Sequence, residues 1–249
     1  MPAIMPSRAF GSRELPSGQR KLSVASPTYN QAANVEPLLA ELEQQLHDVE
    51  HEIIVVDDDS PDLTWQCVRE FANQNARVRV LRRTAGRDLS RAVFDGFLQA
   101  GGDVLCCMDG DLQHDPAGVP RMLAEMDQGS DLVVASRYVA GGKTSGWGWS
   151  RRVGSRVATW LARVATGVTL RHPISGSFMV RRADLLRANA KMHPDGFKIV
   201  LEMVAGLRPA ALREGAYTFR ARKTGTSKLH GRIVLQYCRQ LGRLLCTRG

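Results

Sequence analysis

Residues 52–62 read EIIVVDDDSPD, and this stretch decides the fold. Ile53 to Val56 form a short, continuous β-branched run, which is typical of a strand buried on both faces of a parallel sheet. Acidic and turn-forming residues end the run, and residues 63–74, LTWQCVREFANQ, follow with a helical pattern. A buried strand, a polar turn and a helix in succession are the repeating unit of an α/β fold.

The same unit recurs on both sides of this stretch. Further apolar runs, each predicting a strand, are LSVAS at 22–26, VRVLR at 78–82, VLCCMD at 104–109 and DLVVASR at 131–137. Helical patterns lie between them: VEPLLAELEQQL at 35–46, SRAVFDGFLQA at 90–100 and VPRMLAEM at 119–126. The alternation predicts an α/β domain with a mainly parallel central sheet flanked by helices.

The pattern changes after Arg137. A Gly- and Trp-rich loop precedes a predicted helix over 151–165, a strand through 178–180, a helix near 197–204 and a strand around 217–220. We expect a flexible leader at 1–20, one catalytic domain at 21–230 and an amphipathic helix at 231–249. In that helix Ile233, Tyr237, Leu241 and Leu244 share an apolar face, which favours either packing on its own domain or contact with anionic lipid.

Composition narrows the class of partner. The chain has 249 residues, with 34 Lys and Arg against 25 Asp and Glu, a formal charge of +9 and a pI near 9.8. Such a charge favours anionic partners: phosphate-bearing ligands, lipid head groups or nucleic acid. No run of about 18 apolar residues, the length that crosses a bilayer as a helix, is present. We therefore expect the protein to bind a membrane only at its surface, as a peripheral protein on the cytoplasmic face.

Two acidic clusters follow predicted strands, Asp57 with its neighbours and the pair Asp109-Gly110-Asp111. Ligands of open parallel sheets bind at the carboxyl ends of strands, where these clusters fall. Closely spaced carboxylates suit Mg²⁺ or Mn²⁺, and Gln113 offers a further oxygen. Turn-capping acids are the alternative interpretation of either cluster alone.

Taken together, the ordered motifs resemble a known family. They are PTYN at 27–30, VVDDDSPDLTW at 55–65, MDGDLQHDP at 108–116, SRYVAGGK at 136–143, PISGSF at 173–178, GFKIVLE at 196–202 and TSKL at 226–229. In this order they are similar to family 2 glycosyltransferases of the polyprenol-phosphate mannose synthase group. The resemblance, over about residues 22–245, implies a GT-A fold and an inverting transfer of mannose from GDP-mannose to the phosphate of a polyprenyl phosphate such as a dolichyl or undecaprenyl phosphate.

The resemblance also implies roles for individual residues. Catalysis is assigned to Asp111 and Arg137, and the metal, Mg²⁺ or Mn²⁺, to Asp109, Asp111 and Gln113. The nucleotide sugar is assigned to Pro27, Tyr29, Gln31, Asp57, Asp109, Gly110, Asp111, Arg137, Arg222 and Lys228. The acceptor lipid phosphate is assigned to Arg137, Arg151 and Ser155.

The chemistry of this transfer fits the residues present. A phosphate nucleophile is already anionic at neutral pH, so no side chain is needed to deprotonate it. Two anionic reactants repel each other, however, and guanidinium groups that grip phosphate with two donors bring them together. The predicted source of that charge is Arg137, Arg151, Arg222 and Lys228.

Some positions depart from the family pattern. Gln31 stands where an acid is usual, Leu63 and Asp88 where glycines are usual, and His172 where an acid precedes Pro-x-Ser-Gly. These changes leave the acid pair and the arginines in place. They therefore bear on which sugar is transferred more than on the transferase chemistry. The alternatives are another donor, such as UDP-glucose, UDP-N-acetylglucosamine or an amino-arabinose donor, and, from a different class, a basic nucleic-acid-binding protein. A separate membrane subunit is a further possible partner.

Overall fold

A computed structural model describes residues 20–139, 143–144, 149–168, 170–173, 175–188, 192, 199–220 and 231–246. The strands are β1 (Leu22–Thr28), β2 (His51–Asp57), β3 (Val78–Arg82), β4 (Val104–Cys107), β5 (Leu132–Ser136), β6 (Lys143–Thr144), β7 (Phe178–Arg181), β8 (Leu212–Ala216) and β9 (Thr218–Phe219). The helices are α1 (Ala32–Gln45), α2 (Thr64–Ala72), α3 (Leu89–Gln99), α4 (Gly118–Asp127), α5 (Trp149–Thr166), α6 (Arg182–Ala188), α7 (Ile199–Leu207) and α8 (Gly231–Cys246).

Seven strands form the central sheet in the order β3-β2-β1-β4-β7-β5-β8. All neighbouring pairs are parallel except those of β7, which lies antiparallel between β4 and β5. The chain proceeds from β1 to β3 in one direction, and β4 then returns to the other side of β1. This reversal leaves a crevice at the carboxyl ends of β1 and β4, where α/β proteins of this kind bind ligands.

Helices cover both faces of the sheet. Alternate strand residues, such as Val55 and Cys106, pack with α1, α2 and α4 on one face. Their neighbours, such as Val56 and Cys107, pack with α3, α6 and α7 on the other. The inner strands are therefore buried on both sides, which explains the continuous apolar runs of β2, β4 and β5.

The third helix shows why one departure from the family pattern is tolerated. Asp88 has an extended backbone immediately before α3, and its side chain accepts a hydrogen bond from the backbone N–H of Arg91 at 2.9 Å. An aspartate in this position satisfies one of the N–H groups that a helix leaves unpaired at its start. Asp88 therefore caps α3.

Elements that the sequence analysis did not predict are β6, β8 and α6. Strand β8 pairs with β5 at the end of the sheet and reads LREGA, and most of its residues are only partly buried. Because this strand has one neighbour and little burial, it lacks the apolar run that identifies the central strands. The strand predicted around 217–220 is present as β9, which pairs with β6 outside the main sheet.

The C-terminal helix packs on its own domain. Tyr237, Leu241 and Leu244 are buried against Ala162 and Leu201, which belong to α5 and α7. Within the described ranges, no helix is both long enough and apolar enough to cross a bilayer. The predicted leader at 1–20 lies outside the described residues except for Arg20.

Candidate active site

The acid pair lies directly after β4, beside the end of β1. Asp109 and Asp111 are partly exposed, whereas Gly110 between them is buried. A Cβ atom at Gly110 would lie 2.6 Å from Cγ2 of Thr28, far inside contact distance. Glycine is therefore required here to hold the pair against β1, in the crevice that the strand order creates.

A second glycine keeps space for the Asp109 carboxylate. A Cβ atom at Gly176 would lie 2.0 Å from Oδ2 of Asp109. Gly176 belongs to the PISGSF motif just before β7, which lies beside β4 in the sheet. The glycine of this motif therefore leaves room for the Asp109 carboxylate, which a side chain at position 176 would displace.

The loops after β1 and β2 are joined by side-chain hydrogen bonds. Asp57 is fully buried and accepts hydrogen bonds from the backbone N–H of Ser60 at 2.8 Å, the hydroxyl of Ser60 at 2.5 Å and the hydroxyl of Thr28 at 2.9 Å. The Ser60 hydroxyl in turn accepts from the backbone N–H of Asn30 at 3.0 Å. Asp57 thus organises the loops that border the predicted nucleotide pocket, and three of its acceptor sites are used within the chain.

The predicted base pocket is formed by the same loops. The guanidinium carbon of Arg87 lies 3.8 Å from the centre of the Tyr29 ring, a cation–π contact. The Gln31 side chain donates to the backbone oxygen of Tyr29 at 3.3 Å and accepts from Asn34 at 2.7 Å. Pro27 is buried in β1. Gln31, which replaces the usual acid, therefore supports the loop that carries Tyr29.

Leu63 stands in a left-handed backbone conformation, with φ of 62°, immediately before α2. A glycine adopts this conformation at low cost, which explains the family preference for one at this position. The next residue, Thr64, accepts a hydrogen bond from the backbone N–H of Gln31 at 2.9 Å. The turn keeps its shape despite the leucine and still ties α2 to the first loop.

An aromatic cluster borders the acid pair. The buried His114 ring stacks on Tyr217, with centroids 4.8 Å apart, and meets the edge of Phe219 at 5.7 Å. Its Nε2 lies 3.4 Å from Oδ2 of Asp109. Burial, reinforced by the charges of Asp109 and Asp111, raises the pKa of Tyr217, so its hydroxyl stays protonated and donates to the backbone oxygen of Gln113 at 3.1 Å.

Arg137 reaches this cluster from the end of β5. It is only 7% exposed, and its guanidinium carbon lies 4.6 Å from the centre of the Phe219 ring. One terminal nitrogen lies 2.8 Å from Nε2 of His172, whose Nδ1 lies 3.1 Å from the backbone oxygen of Ala135. A carbonyl only accepts, so Nδ1 carries the proton and Nε2 accepts from Arg137. His172 therefore takes the place of the usual acid as a neutral acceptor that orients this guanidinium.

The sequence analysis did not identify His172, Gly176 or Tyr217 as site residues. Each acts through a contact with a residue far away in the sequence, so its own neighbours in the sequence do not reveal its role. The departure from the family pattern at position 172 could have identified His172, because a residue that replaces the usual acid must contact the same partner.

The remaining predicted site residues are described in part or not at all. Arg151 and Ser155 belong to α5, although their side chains are outside the described part of the structure. Arg222 and Lys228 lie in the undescribed range 221–230. Their assigned roles remain predictions.

The donor set for a metal is limited to two carboxylates and an amide. Among the described residues, no group of three or more His, Cys, Asp or Glu side chains is arranged to hold a metal ion. Mg²⁺ is commonly bound by one or two carboxylates together with substrate phosphates. Asp109, Asp111 and Gln113 therefore fit a cation that arrives with a nucleotide diphosphate.

The fold and the acid pair at its switch point define a GT-A sugar transferase, and the sequence comparison agrees. Residues 23–187 match the model of glycosyl transferase family 2. The chain belongs to this family.

Within the family, the chain is similar to lipid-phosphate mannosyltransferases. It is 38% identical over 231 residues to the dolichol-phosphate mannosyltransferase of Pyrococcus furiosus, across 92% of this chain and 65% of that protein. It is 36% identical to the dolichol-phosphate mannosyltransferase of Saccharomyces cerevisiae, across 89% of this chain and 86% of the relative. The polyprenol monophosphomannose synthase of Mycolicibacterium smegmatis is 35% identical, across 86% and 82%. The chain thus spans just under two thirds of the archaeal relative and most of the other two.

Solved structures share the fold at lower identity. Glucosyl-3-phosphoglycerate synthase from Mycobacterium tuberculosis in complex with UDP superposes with a TM-score of 0.68 at 19% identity, covering 98% of this chain and 87% of that one. The same enzyme in complex with Mn²⁺, UDP-glucose and phosphoglyceric acid gives a TM-score of 0.68, covering 98% and 85%. At this identity the likeness concerns the fold alone.

Proposed function

We propose that this protein transfers mannose from GDP-mannose to the phosphate of a polyprenyl phosphate, with inversion at the anomeric carbon. The observation that carries the proposal is the similarity of nearly the whole chain to dolichol-phosphate and polyprenol-phosphate mannosyltransferases. The acceptor is a membrane lipid, so the reaction takes place at a membrane surface, which we assign to the cytoplasmic face. The charged residues of the crevice support this chemistry.

The donor lies in the crevice between β1 and β4. Pro27, Tyr29 and Gln31 border the base, while Asp57 fixes the loop that faces the ribose. The diphosphate lies over Asp109 and Asp111. A divalent cation held there would neutralise the charge that develops on the departing nucleoside diphosphate.

The transfer is a single displacement. An oxygen of the acceptor phosphate forms a bond to the anomeric carbon, while the bond from that carbon to the nucleoside diphosphate breaks and its electron pair leaves with the diphosphate. No proton is removed from the nucleophile, because the phosphate is already ionised. The catalytic task is to position the reactants and stabilise charge, which accounts for two carboxylates and several guanidiniums without a general base.

Arg137 holds the two anions together. Its guanidinium is buried and oriented before substrate arrives by His172 and Phe219, so little reorganisation is needed on binding. Arg151 and Ser155, one helical turn apart in α5, receive the acceptor phosphate. Arg222 and Lys228 contact the diphosphate from the segment that follows β9.

A direct assay tests the proposal. The purified chain is incubated with polyprenyl phosphate, Mg²⁺ or Mn²⁺, and radiolabelled GDP-mannose, UDP-glucose or UDP-N-acetylglucosamine, and label is measured in the organic phase. We expect label from GDP-mannose only. Label from a UDP-sugar instead would reassign the donor, and no lipid-soluble label from any donor would refute the proposal.

The variant Asp111→Ala tests the acid pair. We expect kcat/KM to fall by about 100-fold or more, because a preorganised charge at the leaving group is removed, while the thermal unfolding midpoint stays near that of the wild type. Asp48→Ala is the matched control, because the Asp48 side chain is 86% exposed. Near-normal turnover by Asp111→Ala would remove Asp111 from the mechanism.

A further inference from the structure

A cavity of about 460 Å³ lies beside α5, and its lining is cationic. The described residues that line it are Tyr138, Arg156, Thr159, Trp160, Arg163 and Arg171. Four of them belong to α5, while Tyr138 follows β5 and Arg171 precedes β7. Its volume falls within the range of small-molecule sites. None of these six residues has a part in the proposed transfer.

The chain holds two of the three guanidiniums at the cavity wall. Nε of Arg163 donates to the backbone oxygen of Leu170 at 2.6 Å, and a terminal nitrogen of Arg171 donates to the backbone oxygen of Tyr138 at 3.3 Å. Glu214 anchors the same loop by accepting from the backbone N–H groups of Arg171 and His172.

The three arginines concentrate positive charge around the cavity. In the part of the chain that the structure describes, none of Arg156, Arg163 and Arg171 forms an ion pair with a carboxylate. Three guanidiniums around one space repel each other unless an anion lies between them. Phosphate is the anion whose geometry guanidinium matches, through paired donors.

An exposed apolar stripe runs along the same helix. Val157, Trp160 and Val164 are 53%, 62% and 47% exposed, and their spacing of three and four places them on one face of α5. Trp160 belongs both to this stripe and to the cavity wall. The stripe and the arginines are thus adjacent, with the aromatic ring at their boundary.

We infer that the cavity binds the phosphate head group of an anionic phospholipid and that the stripe enters the bilayer interface beside it. A helix with an apolar face flanked by arginines is typical of segments that lie in the plane of a membrane surface, and tryptophan favours the boundary between head groups and acyl chains. A soluble phosphate compound would use the arginines but leave the stripe in water. The lipid satisfies both features.

Vesicle binding tests the inference without any nucleotide sugar, so its outcome is independent of the transfer reaction. The full chain is sedimented with vesicles of phosphatidylcholine alone or mixed with phosphatidylglycerol. We expect tight binding to the mixed vesicles only. The double variant Arg156→Gln with Arg171→Gln should bind them about 25-fold more weakly, since each arginine at an anionic surface contributes about fivefold.

Three further variants separate binding by the cavity from the effects of overall charge and of misfolding. Arg69→Gln with Arg121→Gln removes the same charge from exposed positions of α2 and α4, on the other face of the sheet, and should bind like the wild type. Arg156→Gln alone changes an exposed side chain and should lose about fivefold. Trp160→Ala should weaken binding to the mixed vesicles while the thermal midpoint is unchanged.

Three outcomes would overturn the inference. Equal binding of the double variant and the wild type would show that the cavity does not hold the head group. An equal loss in the α2 and α4 control would show that overall charge is responsible. Full release by inorganic phosphate at the concentration of the lipid would make the cavity a site for soluble phosphate.

Discussion

At the scale of single residues, Gly176 shows how the site depends on an absent side chain. The Asp109 carboxylate occupies the space that any Cβ at 176 would require. As a proposed cation ligand, Asp109 tolerates little change of position, so the residue that makes room for its carboxylate is expected to matter as much as Asp109 itself.

The substitution Gly176→Ala should therefore lower activity. Its Cβ would lie 2.0 Å from Oδ2 of Asp109, so the carboxylate must move. A displacement of about 1 Å in a catalytic group costs about 100-fold in rate, and we expect a fall of that order in kcat/KM. Gly242→Ala in α8, where nothing lies within 4 Å of the added Cβ, should leave kcat/KM unchanged. Full activity of Gly176→Ala would show that the position of Asp109 is unimportant.

Two substitutions of His172 should have different effects on activity. His172→Ala removes an acceptor from Arg137, and a hydrogen bond to a charged group contributes about 1.5–3 kcal/mol, so kcat/KM should fall by about 10-fold or more. His172→Gln supplies a side-chain oxygen near the position of Nε2 and should recover most of the activity. If both variants lose activity equally while their unfolding midpoints match the wild type, His172 does not act through Arg137.

The residues differ in how far the sequence alone identified them. Asp109 and Asp111 were predicted because their type, spacing and place after an apolar run together indicate a ligand site. Gly176 and His172 were not, because their roles exist only when β7 lies beside β4 and β5. A contact between distant segments leaves no local pattern in the sequence.

At the scale of elements, a buried charge holds α8 to the domain. Glu202 of α7 is only 4% exposed and accepts from Arg243 at 2.7 Å and from Gln240 at 3.0 Å, both on α8. Lys198 and Glu202 are four residues apart, and this spacing by itself predicts an ion pair within one helix. Lys198 lies outside the described residues, and the described partners of Glu202 come from α8.

Arg243→Met should destabilise the protein. It keeps most of the side-chain volume but leaves the Glu202 carboxylate without its cationic partner, and removing one member of a buried pair costs about 3 kcal/mol. Arg243 is one third exposed, so we expect about 2 kcal/mol in the free energy of unfolding, measured by urea denaturation.

Two companion variants complete that experiment. Arg239→Met changes an exposed arginine of the same helix and should alter the free energy of unfolding by less than about 0.5 kcal/mol. The double variant Glu202→Met with Arg243→Met should recover most of the loss, because no charge is left buried. An equal loss in the double variant would attribute the effect to packing.

At the scale of the whole molecule, the proposed donor set of two carboxylates and an amide predicts that metal and nucleotide bind interdependently. Mn²⁺ alone should leave the unfolding midpoint almost unchanged, whereas Mn²⁺ with GDP should raise it. At a ligand concentration about 100 times Kd the gain is about 2.7 kcal/mol, which corresponds to about 5–10 °C for a domain of this size. Scanning calorimetry with each ligand and with both measures this. A full shift with Mn²⁺ alone would indicate an all-protein metal site.

The sequence predicted the α/β class, the parallel half of the sheet and the place of the acid pair. Continuous apolar runs identify strands buried on both faces, and β2, β4 and β5 show them. The order of strands is not contained in such runs. The insertion of β7 and the edge strand β8 therefore became visible only in the structure.

That strand order has a consequence for how the chain matures during synthesis. Strand β5 pairs with β7 and β8, both of which are made after it. Until Phe178–Arg181 leaves the ribosome, the nascent polypeptide carries the apolar segment Leu132–Ser136 without its main-chain partners, and the β4 edge stays open as well. Unpaired apolar edges invite association with other chains, so the nascent chain is exposed to aggregation during this interval of translation.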